Sequence, residues 1–297
     1  MRKVLMFLFK NETGYRIGWK ILMGFLLMIV SMIISLVPSV LIYNFNHFTS
    51  ILEMINLTMG SSIGNALQQG FAMLVLWGAY YGLVRKGKIS WKQLGLDGSL
   101  PVVLKKFSGG FLTGTVFIIV EIAWLCLSGY SKVSGYAGGK DAVIAVLCGL
   151  VIYAGVAFSE EITFRGLMQG QFGEGKTAVG IVVTTILFAV IHLHNHSVFS
   201  LIYLLAGGLA FSMMRIVTKG LWFPIGFHMA WDWVELSVFD LAAENTKHWL
   251  YVSLEKEMAG NLVCAFLCFV IAGTLLLIYR KQRSAKQGVD KNGYHMN

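Results

Sequence analysis

Charge is scarce in this sequence, and so is proline. Only 13% of its 297 residues are Asp, Glu, Lys or Arg, and it has 3 prolines; soluble domains carry roughly 25% charged residues. So little charge excludes an ordinary soluble globular domain. Apolar runs recur from Ile21 to Ile278 and mean hydropathy is +0.68, which excludes a disordered, collagen-like or low-complexity chain. Cysteine is sparse as well: Cys126, Cys148, Cys264 and Cys268 all lie in apolar stretches away from any metal-site spacing, and they read as small core hydrophobes. What is abundant is hydrophobic side chain, 56% of the chain, and the class that remains is a polytopic helical membrane protein. The net charge of +9 does not mark a nucleic-acid partner, because basic residues of a membrane chain collect in its cytoplasmic loops.

Candidate spans fall near 21-43, 64-84, 107-128, 141-160, 177-194, 198-216, 220-240 and 259-279. The first is too long for a signal peptide and reads as a retained anchor. Basic residues sort as eight crossings with both termini cytoplasmic require. Arg2, Lys3, Lys10, Arg16, Lys20, Arg85, Lys86, Lys88, Lys92, Lys105, Lys106, Arg165, Lys176, Arg215, Lys219, Arg280, Lys281, Arg283, Lys286 and Lys291 fall inside, and only Lys132, Lys140, Lys247 and Lys256 fall outside. The reading is an all-α polytopic protein of the cell membrane, one integral domain over 1-297. The segment Ile89 to Leu100 reads as an amphipathic interfacial piece with Trp91 at headgroup depth.

Charged groups inside the spans gather in the middle of the chain: Glu121, Glu160, Glu161, Arg165, Asp232 and Glu235, joined by His192 and His228. Ionisable side chains are costly in lipid and are normally kept for a role. In EEITFR, a helix brings Glu161 and Arg165 together at i,i+4 and turns Glu160 about 100° away, so one carboxylate is neutralised and the other left free. FAVIH sets the ring of Phe188 beside His192, and HMAWD sets His228 and Asp232 on one face. Converging, these groups can activate water and stabilise an oxyanion, or ligate a divalent metal that does so.

Three motifs in this order, E-E-x-x-x-R at 160-165, F-x-x-x-H at 188-192 and H-x-x-x-D at 228-232, resemble those of the CPBP intramembrane proteases, also called the CAAX prenyl endopeptidase or ABI family. The flanking FSEEITFRGLMQG and GLWFPIGFHMAWDW look like bacterial members. The resemblance implies a motif-bearing core over 141-240, in the fourth to seventh helices. It also implies an endopeptidase acting on a membrane-associated protein or peptide. In that reading Glu160 activates water with His192, His228 and Asp232 support the oxyanion or hold a metal such as zinc, and Glu161 and Arg165 form a structural pair. Position 232 is Asp where the eukaryotic enzyme has Asn. An ionised Asp cannot donate to an oxyanion, which favours a metal ligand or a protonated carboxyl. The competing class is a non-catalytic membrane protein, a bacteriocin self-immunity or signalling partner that keeps the fold.

Other polar residues receive plainer readings: Glu121 as a helix-packing hydrogen-bonder, Glu235 near the outer interface, and His194, Asn195 and His196 as a polar loop. One tension follows from helix arithmetic. A fourth helix ending at Glu160 puts that residue at the cytoplasmic edge, whereas His192 lies about 24 Å in from Lys176. Either the fifth helix starts later, near Val179 or Gly180, or the fourth is tilted or broken. The ionisable cluster needs water, and a cavity from the cytoplasmic face is expected.

The distribution of basic residues predicts that reporters fused after Leu100 and after Lys286 read cytoplasmic, and that one placed between Asn245 and Lys256 reads external. Opposite signals at Leu100 and Lys286 would refute an even number of crossings between them.

Overall fold

The computed structural model describes residues 10–11, 14–15, 17–37, 62–136, 139–193, 198–239, 250–254 and 257–292. The described residues are overwhelmingly helical: α1 Ile17–Ile34, α2 Ser62–Arg85, α3 Trp91–Leu94, α4 Leu100–Leu127, α5 Lys140–Glu160, α6 Thr177–His192, α7 Leu201–Thr218, α8 Trp222–Trp233 and α9 Glu257–Asn292. Four stretches, Leu100–Leu127, Lys140–Gln171, Leu201–Thr218 and Met258–Ala285, are long and apolar enough to cross a membrane, and Ile21–Ile34 and Thr177–His192 are shorter apolar helices. Each of the eight candidate spans contains a helix. The end of the first, from 38 to 43, lies outside the described residues, as do His194, Asn195 and His196.

Chain ends of the helices meet in two groups. At one end the backbone N–H of Leu221 donates to the carbonyl of Gly95 at 2.7 Å, Lys106 Nζ to the carbonyl of Thr218 at 2.7 Å, and Arg215 Nη2 to that of Gln93 at 3.1 Å. These are the connections the sequence marks as basic. At the other end β3 (Ser131–Tyr136) pairs antiparallel with β4 (Leu250–Leu254), with Lys132 opposite Ser253. The short β1 (Lys10–Asn11) and β2 (Gly14–Tyr15) form a separate antiparallel pair.

The segment after Ile89 differs from the expected surface helix. It is a single turn, capped by Ser90, whose hydroxyl accepts from the N–H of Gln93, and stopped by Gly95 in the left-handed region at φ 76°. Leu94 and Leu96 are buried in a core cluster with Leu76, Tyr80, Phe158 and Leu221, so the turn is docked onto the bundle end. Of the cysteines, Cys264 and Cys268 are buried and Cys126 and Cys148 half-buried, all free.

The tightest helix pair is α4 against α8. A Cβ at Gly110 would collide with the carbonyl oxygen of Phe223, one at Gly114 with that of Phe227, and one at Gly226 with that of Phe107. This is close backbone approach through small residues, the mode that helices use where lipid supplies no hydrophobic drive. Since α8 carries His228 and Asp232, the glycines set where those side chains stand. Gly110→Val should destabilise the protein by about 1–3 kcal/mol or more through overpacking. The exposed Gly273, with no neighbour within 4 Å of its would-be Cβ among the described residues, should tolerate Ala. Melting curves in detergent compare the two, and an unaltered melt for Gly110→Val would contradict the close approach.

Candidate active site

The polar centre is built on the fourth apolar helix, which does not end at Glu160. Regular α5 stops there, but the chain continues as a π-helix over Glu161–Met168 and a 3-10 turn over Gln169–Gln171. Wide turns of this kind recur at functional sites because they re-aim side chains without ending a helix. This resolves the tension in the helix arithmetic. Glu160 lies eleven residues before Gln171, roughly 16 Å from that end of the helix at ordinary helical rise. The alternative of a later start for the fifth helix does not hold, since α6 begins at Thr177.

Glu161 and Arg165 are both fully buried, and Arg165 Nη1 donates to Glu161 Oε1 at 2.9 Å. The guanidinium also donates from Nη2 to the carbonyl of Gly208 at 3.3 Å. Its Cζ stands 4.3 Å from the ring centre of Phe188 and 5.0 Å from that of Phe211, so aromatic faces contain the charge on the sides that the carboxylate does not cover.

Glu161 does more than neutralise arginine. Its Oε1 also lies 3.1 Å from Nδ1 of His228. A carboxylate already taking an arginine N–H is an acceptor, so His228 Nδ1 carries the hydrogen and Nε2 is turned away. His192 is arranged in the same manner: its Nδ1 is 2.7 Å from the carbonyl oxygen of Phe188, which can only accept. The Phe188 ring also packs beside the imidazole, 4.4 Å between ring centres. Both imidazoles therefore present Nε2 to the same place.

That place is the carboxylate of Glu160. Oε1 lies 3.5 Å from His192 Nε2, Oε2 lies 3.9 Å from His228 Nε2, and Asp232 Oδ2 stands 3.5 Å from the latter nitrogen. Glu160 Oε2 is buried without a hydrogen-bond partner among the described residues. The side chains of Glu160, His192 and Asp232 retain 17, 21 and 20% exposure, whereas Glu161 and Arg165 retain none. A sealed ion pair thus lies under a reachable carboxylate flanked by two imidazoles. Such a group can take a proton from water, hold it and return it.

Glu160, His192, His228 and Asp232 are the donors that zinc accepts by chemical type. Among the described residues, however, no group of three or more His, Cys, Asp or Glu is arranged to hold a metal ion. The donors as placed do not fit a metal ion.

Glu235 is the second residue of a π-helix over Val234–Val238, is half-buried, and accepts from the indole N–H of Trp231 at 2.6 Å. Glu121 is buried and hydrogen-bonds Cys264 of α9, a contact between helices as the sequence reading expects, with its Oε2 unpartnered among the described residues. Phe211 and Gly208, which wall His228 and hold Arg165, carried no signal, because an aromatic and a glycine in an apolar helix look like packing. Removing the guanidinium leaves a buried carboxylate uncompensated, so Arg165→Ala should cost about 3–5 kcal/mol and sharply lower the yield of folded protein. A wild-type melting temperature in that variant would contradict the sealed pair.

No curated protein and no solved structure matches this chain. Residues 142–234 match the family model described as type II CAAX prenyl endopeptidase Rce1-like. The matched segment contains Glu160, His192, His228 and Asp232, the residues that the resemblance of the motifs singles out.

Proposed function

We propose that this chain is an intramembrane endopeptidase. It is a multi-pass protein of the cell membrane, with eight crossings and both termini cytoplasmic, that hydrolyses a peptide bond in a membrane-associated protein or peptide. The observation that carries the reading is the partly exposed carboxylate of Glu160, set between the Nε2 atoms of His192 and His228. The family description names a CAAX prenyl endopeptidase, so a substrate with a lipid-modified C-terminus is the first class to test.

In this reading Glu160 accepts a proton from water, aided by His192, as the water oxygen bonds to the scissile carbonyl carbon. The charge that forms on the carbonyl oxygen is met by an Nε2–H of protonated His228 and by the protonated carboxyl of Asp232, whose Oδ2 stands 3.5 Å from that nitrogen. The C–N bond then breaks and the stored proton passes to the leaving amine. Phe188 and the Glu161–Arg165 pair position the two imidazoles and do not touch substrate. The competing mechanism is a divalent metal such as zinc, which His192, His228, Asp232 and Glu160 would hold only by moving from where they stand.

Glu160→Gln should lower cleavage by about 10²-fold or more with the amount of folded protein unchanged. Substrate-trapping proteomics on membranes carrying wild type or Glu160→Gln reads this out. Full cleavage by the variant sinks the assignment of Glu160, whereas no cleavage by the wild type itself points to a non-catalytic role such as self-immunity.

Asp232→Asn separates the two mechanisms. An oxyanion donor at that position predicts kept or raised activity and indifference to a strong chelator. Activity lost in Asp232→Asn, lost on chelation and restored by zinc would establish the metal mechanism instead.

A further inference from the structure

Away from the catalytic cluster, at the basic end of the bundle, the α2–α3 connection, the turn after Gln171 and the last turn of α7 line a cavity of about 970 Å³ that is open to the surface. Its wall includes Ser90, Trp91, Lys92, Gln93, Phe172 and Arg215, and none of the described side chains lining it is acidic. The two cations differ. Lys92 is exposed, whereas Arg215 is half-buried and pinned, its Nη2 donating to the carbonyl of Gln93 at 3.1 Å. A Cβ at Gly170 would lie 3.0 Å from that Nη2 and 2.9 Å from the same carbonyl, so the backbone passes close enough to hold the guanidinium still. Arg215 Nε is buried yet has no hydrogen-bond partner among the described residues. The guanidinium at the cavity wall has more N–H donors than its one bond to Gln93 uses, and an anion in the cavity offers the outer ones an acceptor.

The surroundings identify the kind of anion. Trp91 stacks on Trp77 at 4.9 Å, and Trp77 is 37% exposed on the outside of α2, an aromatic pair of the sort that marks headgroup depth. Val84, Ile89 and Phe172 give the same cavity an apolar side. A fixed guanidinium and a free ammonium on one wall, with apolar residues on another, suit a phosphate attached to an apolar body. We propose that this cavity binds the phosphate of an anionic phospholipid headgroup, seating the α3 turn on the membrane. The proposal stands apart from the peptidase reading, and it concerns residues that take no part in the chemistry.

The test titrates the full chain, purified in neutral detergent, with phosphatidylglycerol, phosphatidylcholine or inorganic phosphate, and follows thermal unfolding. Phosphatidylglycerol should stabilise the wild type at a concentration about tenfold or more below that of phosphatidylcholine. Arg215→Gln should abolish that preference. If Arg215→Gln fails to fold, Lys92→Gln, altering only an exposed side chain, should still weaken it several-fold. Stabilisation by inorganic phosphate alone, equal to that by the lipid and lost in the same variants, supports the phosphate chemistry with a free anion as its source. Equal responses to the two lipids, or a preference that survives in both variants, overturns the proposal.

Discussion

The buried contact between Glu161 and Arg165 is the constraint on which the centre of this molecule depends. Two opposite charges with no solvent exposure cannot be separated without leaving one of them stranded in a low-dielectric interior. That penalty fixes the turn of helix after Glu160. Once Glu161 is committed to Arg165, Glu160 must point elsewhere, and His228 is drawn to the remaining reach of Glu161 Oε1 at 3.1 Å. One ion pair thereby decides the direction of a carboxylate and the orientation of an imidazole on a different helix. Buried ion pairs are poor sources of net stability. Here the pair's consequence is geometric: it makes one arrangement of three helices much cheaper than its alternatives.

Much of that arrangement was legible in the spacing of a few residues. EEITFR separates the paired carboxylate from the free one, FAVIH puts Phe188 against His192, and HMAWD puts His228 beside Asp232; all three are local helical relations, and all three occur. Helix positions were legible because lipid demands long apolar runs. The relations that escaped are those between helices. Nothing in the spacing marks that Glu161 holds His228 as well as Arg165, or that Gly208 and Phe211 contain the guanidinium. The continuation of the fourth helix to Gln171 escaped because the charges of EEITFR look like the end of a span. A π-turn whose Glu161 and Arg165 pair with each other and with groups on neighbouring helices carries them through instead.

Small residues complete the account of how the site is positioned. Gly110, Gly114 and Gly226 let α4 and α8 touch through their backbones, which brings His228 and Asp232 to a depth set by main-chain contact. At the basic end, Gly95 and Gly170 let the α3 turn close over α7 and α8, with Leu221 and Arg215 donating to its carbonyls. Polar contacts between backbone and side chain thus define the two regions where the bundle meets water or headgroups. The apolar faces elsewhere carry little information beyond membrane residence.

The account's central claim is that Glu160 activates water and does not itself attack the substrate. The most direct measurement is a single turnover in water enriched in heavy oxygen, with mass analysis of both the new C-terminal carboxylate and the peptide containing Glu160. Attack by water that Glu160 has deprotonated places solvent oxygen in the product and leaves Glu160 unlabelled. An unlabelled product, with heavy oxygen in the carboxyl of Glu160, would mean that an acyl anhydride forms on that residue and would contradict the claim.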